Sequence, residues 1–355
     1  MIVYKDVMLS KGAILQMKQP SVGVILAQIG TPAAPDAKAV RPYLRRFLSD
    51  RRIIDYPPLL WQPLLRGVIL RVRPRRSARL YEQIWLPEGS PLLHHSRAQQ
   101  AGLQKLLGGQ FQVELGLAYS EPDMSAAMNR LEAAGVTRIV VVPLFPQYSS
   151  TTTASVYDAA SFAALGRRSA RGPVSKRFVP ALRFVDAYHR EQGYIAAMKA
   201  HLLRCLDGLD AEPDHIVLSY HGIPRRYAET GDPYPVQCEE TSRLLAEAMG
   251  WEEGRWSMAY QSRFGREEWI GPSTENVLKE LAGRGIRRPL IFSPGLVTDC
   301  LETLHELAVE GGEHFAAGGG TAAALHAAPC LNACAEWLAF LAGLVRTNAQ
   351  GWLEE

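Results

Sequence analysis

His215-Ile216-Val217-Leu218-Ser219-Tyr220-His221-Gly222-Ile223-Pro224 is the stretch that decides how this chain reads. Its apolar run, closed by Gly and Pro, predicts a buried strand of the kind found in parallel sheets. Such a strand delivers His221 at its carboxyl end, where open α/β sheets place their ligands. Imidazole is also the side chain whose ordinary pKa suits proton transfer near neutrality. An isolated strand-end histidine is as readily satisfied by backbone, so the weight falls on what surrounds it.

Working outward, strand alternates with helix on both sides of this stretch. Before it the pattern predicts strands over about 22–28, 113–119, 138–144 and, more weakly, 178–184, with helices over about 37–48, 91–107 and 123–134. Ser90 is placed to cap the second of these helices. Residues 53–85 mix Pro, Arg, Leu and Trp without clean periodicity and read as an irregular, partly apolar lip. From His189 onward the pattern repeats: strands at about 215–220, 256–261, 289–293 and 321–327, separated by helices at about 189–206, 236–249, 274–282 and 299–308. An amphipathic helix over about 334–345 closes the chain. Four strand–helix alternations in each half predict two parallel α/β domains. The expected division is an N-terminal extension over 1–20, a first domain over 21–186 carrying the lip and joined by the C-terminal helix 331–355, and a second domain over 187–330 carrying His221.

At 355 residues, two domains are the natural expectation. A net charge of +3 is too small to argue for nucleic acid. Basic residues nonetheless gather early, from Arg41 to Arg79, against only Asp50 and Asp55 as acidic residues between 41 and 79. Such a patch is either a solvated face or a receiver of carboxylates or an anionic membrane surface. Five cysteines, an odd number without a regular framework, argue against a disulfide scaffold and for a reducing compartment. Lys5, Asp6, Lys11 and Lys18 interrupt any apolar core that a signal peptide would need. The longest apolar candidate, 58–70, is broken by Pro63 and Arg66 and falls short of the roughly 20 residues a spanning helix requires. The expectation is a cytoplasmic protein, with peripheral contact to the inner membrane face through residues 41–85 left open.

Polar residues that look out of place sit just after strands. Tyr148 with its Ser/Thr run follows one strand, His221 another, Gln261-Ser262-Arg263-Phe264-Gly265 a third and Pro294-Gly295-Leu296-Val297-Thr298-Asp299 a fourth. Loops at the carboxyl ends of parallel strands share one edge, so these segments converge on one cleft. The last loop opens a helix on which Glu302, Glu306 and Glu310 recur every four residues, with Asp299 a turn earlier. A solvated helix face is the ordinary reading of that spacing. Against it, like charges at i,i+4 repel, and Lys or Arg partners at helical spacing are missing. A row of carboxylates leading inward could instead pass a hard or borderline divalent cation. Cys330 and Cys334 form a lone C-x3-C without a second pair and read as buried thiols. Gly318-Gly319-Gly320 lacks the Lys of a phosphate loop and reads as a turn, and Ser219 has no nucleophile elbow around it.

With these motifs in hand the chain resembles the ferrochelatase family, whose members insert ferrous iron into a porphyrin to make haem. The matching pieces are Gly30-Thr31-Pro32, Arg46-Phe47-Leu48-Ser49-Asp50, Gly89-Ser90-Pro91-Leu92, Pro146-Gln147-Tyr148-Ser149 with Thr151-Thr152-Thr153, Ser219-Tyr220-His221-Gly222-Ile223-Pro224, Gly231-Asp232-Pro233-Tyr234, Gln261-Ser262-Arg263-Phe264-Gly265 and Asp299-Cys300-Leu301-Glu302-Thr303-Leu304. The resemblance implies an α/β, chelatase-like fold of two Rossmann-like domains, each a four-stranded parallel sheet flanked by helices, with the porphyrin in the cleft between them. It implies that His221 and Glu302 serve the metal and proton handling, that Glu306, Glu310 and Asp299 form an acidic metal or proton path, and that Ile29, Leu44, Phe47, Ile53, Tyr119, Tyr148, Trp269 and Leu296 contact the porphyrin.

It further implies ferrous iron and a porphyrin, protoporphyrin IX first among them, as substrates, with no tightly bound cofactor. Three positions depart from the family pattern. Ala118 stands where an Arg is usual before the Tyr, and Ala333 where an Asp is common. Ser150 stands where cluster-bearing members place a Cys, and the chain has no cysteine-rich tail, so no [2Fe–2S] cluster is expected. The rival readings are a related chelatase for another metal or for coproporphyrin, and a two-lobed tetrapyrrole-binding protein without catalysis.

Overall fold

The structure is a computed structural model that describes residues 21–166, 168–169, 172–173, 176–263, 265 and 267–353. The expected 1–20 extension, the last two residues and Phe264 lie outside the described residues. Strand β1 (Val22–Gln28) has every residue buried, as a strand covered on both faces requires. It lies between β2 (Phe111–Leu117) and β3 (Arg138–Pro143), with β4 (Ala181–Phe184) beyond β3, and all pairings are parallel. The second sheet repeats this winding. Strand β5 (His215–His221) lies between β6 (Trp256–Gln261) and β7 (Pro289–Phe292), with the two-residue β8 (His326–Ala327) outside β7. In each sheet the chain leaves the first strand to one side and returns on the other, so strand order reverses at β1 and at β5. Those reversals open a crevice at the strands' carboxyl ends, which is where Ile29-Gly30-Thr31 and His221-Gly222-Ile223 sit.

Helix α1 (Ala37–Ser49) is capped by Asp36, whose Oδ1 accepts from Lys38 N and Ala39 N, each at 2.8 Å. The stretch expected to be an irregular lip is helical from residue 58 to 84. It comprises α2 (Pro58–Leu64), a π-helical turn (Leu65–Ile69) and α3 (Leu70–Ile84). The buried positions Trp61, Leu65, Leu70, Pro74, Ala78 and Tyr81 follow α spacing except for one five-residue step across the π turn. The inserted residue shifts the apolar stripe mid-way and breaks the period that sequence reading looks for. Tucked against α1, this arm makes a small core of its own from Val40, Leu44, Leu48, Trp61 and Leu65.

Helices α4 (Pro91–Leu107) and α5 (Met124–Ala133) flank the first sheet. Ser90 precedes α4 without capping it, because its Oγ is engaged with Thr31 Oγ1 at 2.7 Å. Helix α6 (Thr153–Leu165) has no counterpart in the sequence reading; its many small, buried alanines leave little contrast between faces. In the second half come α7 (Gln192–Asp207), the short α8 (Arg225–Glu229), α9 (Tyr234–Met249) and α10 (Thr274–Gly283). The helix expected over 299–308 is a π-helix, Glu302–Glu310, running into α11 (Gly311–Ala317). The strand expected over 321–327 shrinks to β8, because Gly320 is pressed against Phe315 and Ala322–Ala324 coil into a 3-10 turn.

Helix α12 (Ala335–Asn348) lies against both α4 and α7, so it joins the two halves instead of belonging to the first alone. Its Trp337 is fully buried and donates Nε1–H to Gln99 Oε1 at 3.2 Å, while Gln99 Nε2 donates to Thr298 Oγ1 at 2.8 Å. One apolar cluster runs through both sheets, from Val24, Leu26 and Val142 to Leu218, Tyr220, Phe292 and Trp337. That shared core fixes the two strand edges relative to each other.

Candidate active site

The upper half of β5 is held by its polar residues. Ser219 Oγ donates to Gln261 Oε1 at 2.9 Å and bonds Thr274 Oγ1 at 2.8 Å, while Tyr220 bonds Ser242 Oγ at 2.8 Å on the opposite face. Just beyond His221, Gly222 donates its N–H to the Gln261 carbonyl at 2.8 Å. A Cβ at Gly222 would lie 3.0 Å from that carbonyl and 3.1 Å from Trp269 Cε3, so glycine lets Trp269 close on the segment without a tight contact. His221 is thus presented from a backbone fixed on both sides. Burial lowers its pKa, opposed by the charge of Glu302. The imidazole is therefore neutral near neutrality and free to accept a proton.

Glu302 begins the π-helix that carries Glu306 and Glu310 on the same face. π-helical segments concentrate at functional sites, and here the segment sets three acidic side chains in a row. Glu306 is pushed up to about 8 by burial and then by the charges of Glu302 and Glu310. Ser262, held at φ +68°, donates its hydroxyl to Glu306 Oε2 and works against that rise. Glu310 approaches His305 Nδ1 at 3.5 Å. Cys300, one turn earlier, stays a thiol: burial raises it, and so does Glu302.

The opposite wall comes from the lip. Leu301 and Leu304 pack into the same apolar cluster as Tyr43 and Phe47 of α1. Burial, and then the charge of Glu302, raises the Tyr43 hydroxyl; Tyr81 of α3 is raised by burial, Tyr43 and Glu302 in turn. The Arg73 guanidinium is lowered by burial, which Tyr43 and Glu306 oppose. Tyr43 stacks on Phe47 at 6.0 Å between centroids, and Phe47 meets the edge of Tyr119 at 5.4 Å. Tyr119 donates to Asp50 Oδ2 at 2.6 Å. A neutral imidazole, a carboxylate row and an aromatic lip thus close on one another.

The sequence profile of the family described as Ferrochelatase matches residues 21–349. Among curated proteins, Ferrochelatase of Teredinibacter turnerae is 44% identical over 339 residues, covering 94% of this chain and 89% of the relative. The chain belongs to the ferrochelatase family. Ferrochelatase 1 of Shewanella oneidensis is 41% identical over 94% of this chain and 98% of its own length, and Ferrochelatase of Yersinia pestis is 42% identical over 94% and 100%. Among solved structures, SirB from Bacillus subtilis with Fe3+ superposes with a TM-score of 0.54 at 12% identity, covering 93% of this chain and 96% of that one. That likeness supports the chelatase-type fold alone.

The residues expected at the site fall into distinct places. His221, Glu302, Glu306 and Glu310 share the wall described above. Asp299 is engaged by its own hydrogen-bond partners. It is buried, accepts from Thr303 Oγ1 and Cys330 N at 3.0 Å each and from Asn332 Nδ2 at 2.7 Å, and so holds the start of the π-helix. Phe47 and Tyr119 stand in the lip wall. Leu44 is sunk into the lip's own core at 6% exposure, where it supports Phe47's helix instead of lining the cleft.

Ile53 and Leu296 are partly exposed, Ile53 at the lip's end and Leu296 after β7; Ile29, beyond β1, accepts from Tyr119 N at 3.0 Å. Tyr148 stands at the rim, where Arg52 and Asp232 act on it, and its N–H donates to Gln237 Oε1 at 2.7 Å. Trp269 backs the His221 segment through Gly222. Tyr43 and Arg73 are not among the expected site residues, and Ser262 was expected only as part of the loop after β6. Tyr43 lies one turn before Phe47 on the same face and was within reach of the pattern, whereas Arg73 was hidden by the π turn.

The Glu306 shift has a measurable sign. Its folded value of about 8 lies above the ordinary 4.5, so the folded state keeps a proton that the unfolded chain releases. The group's contribution is fully present below the ordinary carboxylate value and is lost as pH rises through about 8. Glu306→Gln removes the titration. Calorimetry is expected to give equal melting temperatures for variant and parent at about pH 4.5 and a higher one for the variant at about pH 9. Parallel profiles would contradict the assignment.

Proposed function

We propose that this chain is a lyase-class ferrochelatase that inserts Fe(II) into a porphyrin, with protoporphyrin IX as the preferred substrate and protohaem as the product. What supports the reading is His221 at the carboxyl end of β5, its pKa lowered by burial against the charge of Glu302, with the aromatic Tyr43 and Phe47 packed in one cluster with Leu301 and Leu304 of the segment that carries Glu302. A porphyrin presents two pyrrole N–H groups and two bare nitrogens, so metal entry requires loss of two protons and lone pairs turned out of the ring plane. His221 accepts one proton at an imidazole nitrogen. Glu302 serves the iron or takes the second proton, and Glu306, poised at about 8, passes it along the row to Glu310. Imidazole and carboxylate both suit borderline Fe(II).

Among the described residues no three His, Cys, Asp or Glu side chains come together to hold a metal on their own. Two donors suit an ion in transit, which completes its coordination with water and then with pyrrole nitrogens. The lip's apolar and aromatic residues grip the macrocycle, and that grip is what can bend it. We read residues 21–186 and 187–330 as the two walls, with α12 fastening them. No [2Fe–2S] cluster belongs to this reading, since Ser150 donates its hydroxyl to Asp232 Oδ2 at 2.8 Å where cluster-bearing members place a cysteine.

The same reading places the protein in the cytoplasm and against an anionic membrane surface. Among the described residues no helix is long and apolar enough to cross a membrane. Leu59, Leu60 and Val72 are exposed at 89%, 72% and 68% on the outer face of the lip. Beside them Arg41, Arg45, Arg46, Arg66 and Arg71 line an open pocket. Apolar side chains flanked by guanidinium groups suit insertion among acidic headgroups.

The function is tested by anaerobic incubation of the purified protein with Fe(II) and either protoporphyrin or coproporphyrin, following the visible spectrum. Metalloporphyrin formation is expected with protoporphyrin, and His221→Ala is expected to slow it by about 10²–10⁴-fold. Turnover of coproporphyrin alone would replace the substrate, and porphyrin binding without metalation would favour the binding-protein reading. Near-normal insertion by His221→Ala would overturn the role of His221. Membrane contact is read by co-sedimentation: vesicles containing phosphatidylglycerol are expected to retain the parent and to lose the Leu59→Ser/Leu60→Ser variant, and equal retention would sink the lip's role.

A further inference from the structure

Helix α8 follows directly from the His221 segment, and its residue Arg226 makes contacts that the chemistry above does not use. Both terminal nitrogens of Arg226 fork onto Asp55 Oδ1 and Oδ2, and its Nε donates to Glu267 Oε1. The guanidinium stands 4.6 Å from the Tyr227 ring centroid and 5.8 Å from that of Tyr56. Tyr56 donates its hydroxyl to Glu267 Oε2 at 3.3 Å, and Tyr227 donates to the carbonyl of Ile53 at 3.2 Å. The loop between α1 and α2 is thus clasped by side chains of the second half.

Both ends of this clasp lead to a wall of the cleft. Arg225 N donates to the Glu268 carbonyl at 2.9 Å and Ile270 N to the Ile223 carbonyl at 3.1 Å, which laces the clasp to the backbone between His221 and Trp269. On the other side Ile54 N donates to the Asp50 carbonyl at 2.9 Å and Arg52 N to Asp50 Oδ1 at 2.8 Å. Asp50 is the residue that receives the Tyr119 hydroxyl. A displacement of Asp55 is therefore carried by a short tied loop to the Phe47–Tyr119 wall. The side chains of Arg226 and Asp55 are 37% and 38% exposed. Water screens a pair so placed, so its worth lies in position, with little net stability.

We propose that Arg226 is a positioning residue: by clasping Asp55 and Glu267 it sets the gap between the lip wall and the His221 wall, and so the affinity of the cleft for the flat macrocycle. This rests on the reading of the cleft as a porphyrin site. The test compares Arg226→Ala, Arg226→Lys, Asp55→Asn and the Ala/Asn double variant with the parent. Porphyrin affinity is read by quenching of tryptophan fluorescence, and porphyrin and iron kinetics are read separately.

Arg226→Ala is expected to raise porphyrin Kd and KM by about tenfold and to leave iron KM and kcat within about twofold. Lysine restores the charge without the fork and is expected to recover only part of the loss. The double variant is expected to bind no more weakly than Arg226→Ala alone. An unchanged porphyrin Kd in Arg226→Ala and Asp55→Asn, or losses that multiply in the double variant, would overturn the proposal. If Arg226→Ala fails to fold, Asp55→Asn, altered only on an exposed loop, decides by the same readings. A parent that binds porphyrin but never metalates it would remove the catalytic reading and leave this comparison intact.

Discussion

Ionisable groups withdrawn from water on one wall of a cleft are the constraint to which the rest of the structure answers. Burial keeps His221 neutral, raises Glu306 to about 8 and holds the Cys300 thiol protonated. Each shift costs free energy that a small fold could not sustain at a flexible surface. The cost is met by rigidity around the wall. Ser219, Gln261 and Thr274 lock β5 to β6, Asp299 and Asn332 pin the start of the π-helix, and Trp269 closes over Gly222. Strain in the Ser262 backbone is tolerated where its hydroxyl reaches Glu306.

The lip also ties the two halves. Its own small core packs α1 against α3, while Leu301 and Leu304 join that core to the π-helix. Polar groups of the lip therefore meet the acidic row, with the neutral Tyr43 hydroxyl near Glu302 and the Arg73 guanidinium near Glu306. The continuous apolar core beneath, from Val24 through Leu218 to Trp337, keeps the strand ends in register so that such contacts can form.

The fold was legible because parallel strands buried on both faces announce themselves: Val22–Gln28 and His215–Leu218 are apolar runs with turn residues after them. Parallel pairing also makes the loops after β3, β5, β6 and β7 leave the carboxyl edges of their sheets, which is where the sequence reading looks for a site. What stayed hidden was hidden by departures from α periodicity. A single inserted residue at the Leu65–Ile69 turn disguised the α2–α3 arm and with it Arg73. Asp299 stands one turn before the acidic row, but its hydrogen bonds to Thr303, Cys330 and Asn332 are partners about which spacing carries no information. Ser90 stood at a cap position and was taken by Thr31, a residue remote in sequence.

The central claim is that His221 and Glu302 act as one unit across the incoming iron. It is tested most directly by single-turnover iron insertion in His221→Ala, Glu302→Gln and the double variant, with porphyrin bound beforehand. Groups that act together lose their effect once, so the double variant should be no slower than the slower single variant. Losses that multiply in the double variant would mean two independent contributions and would contradict the account.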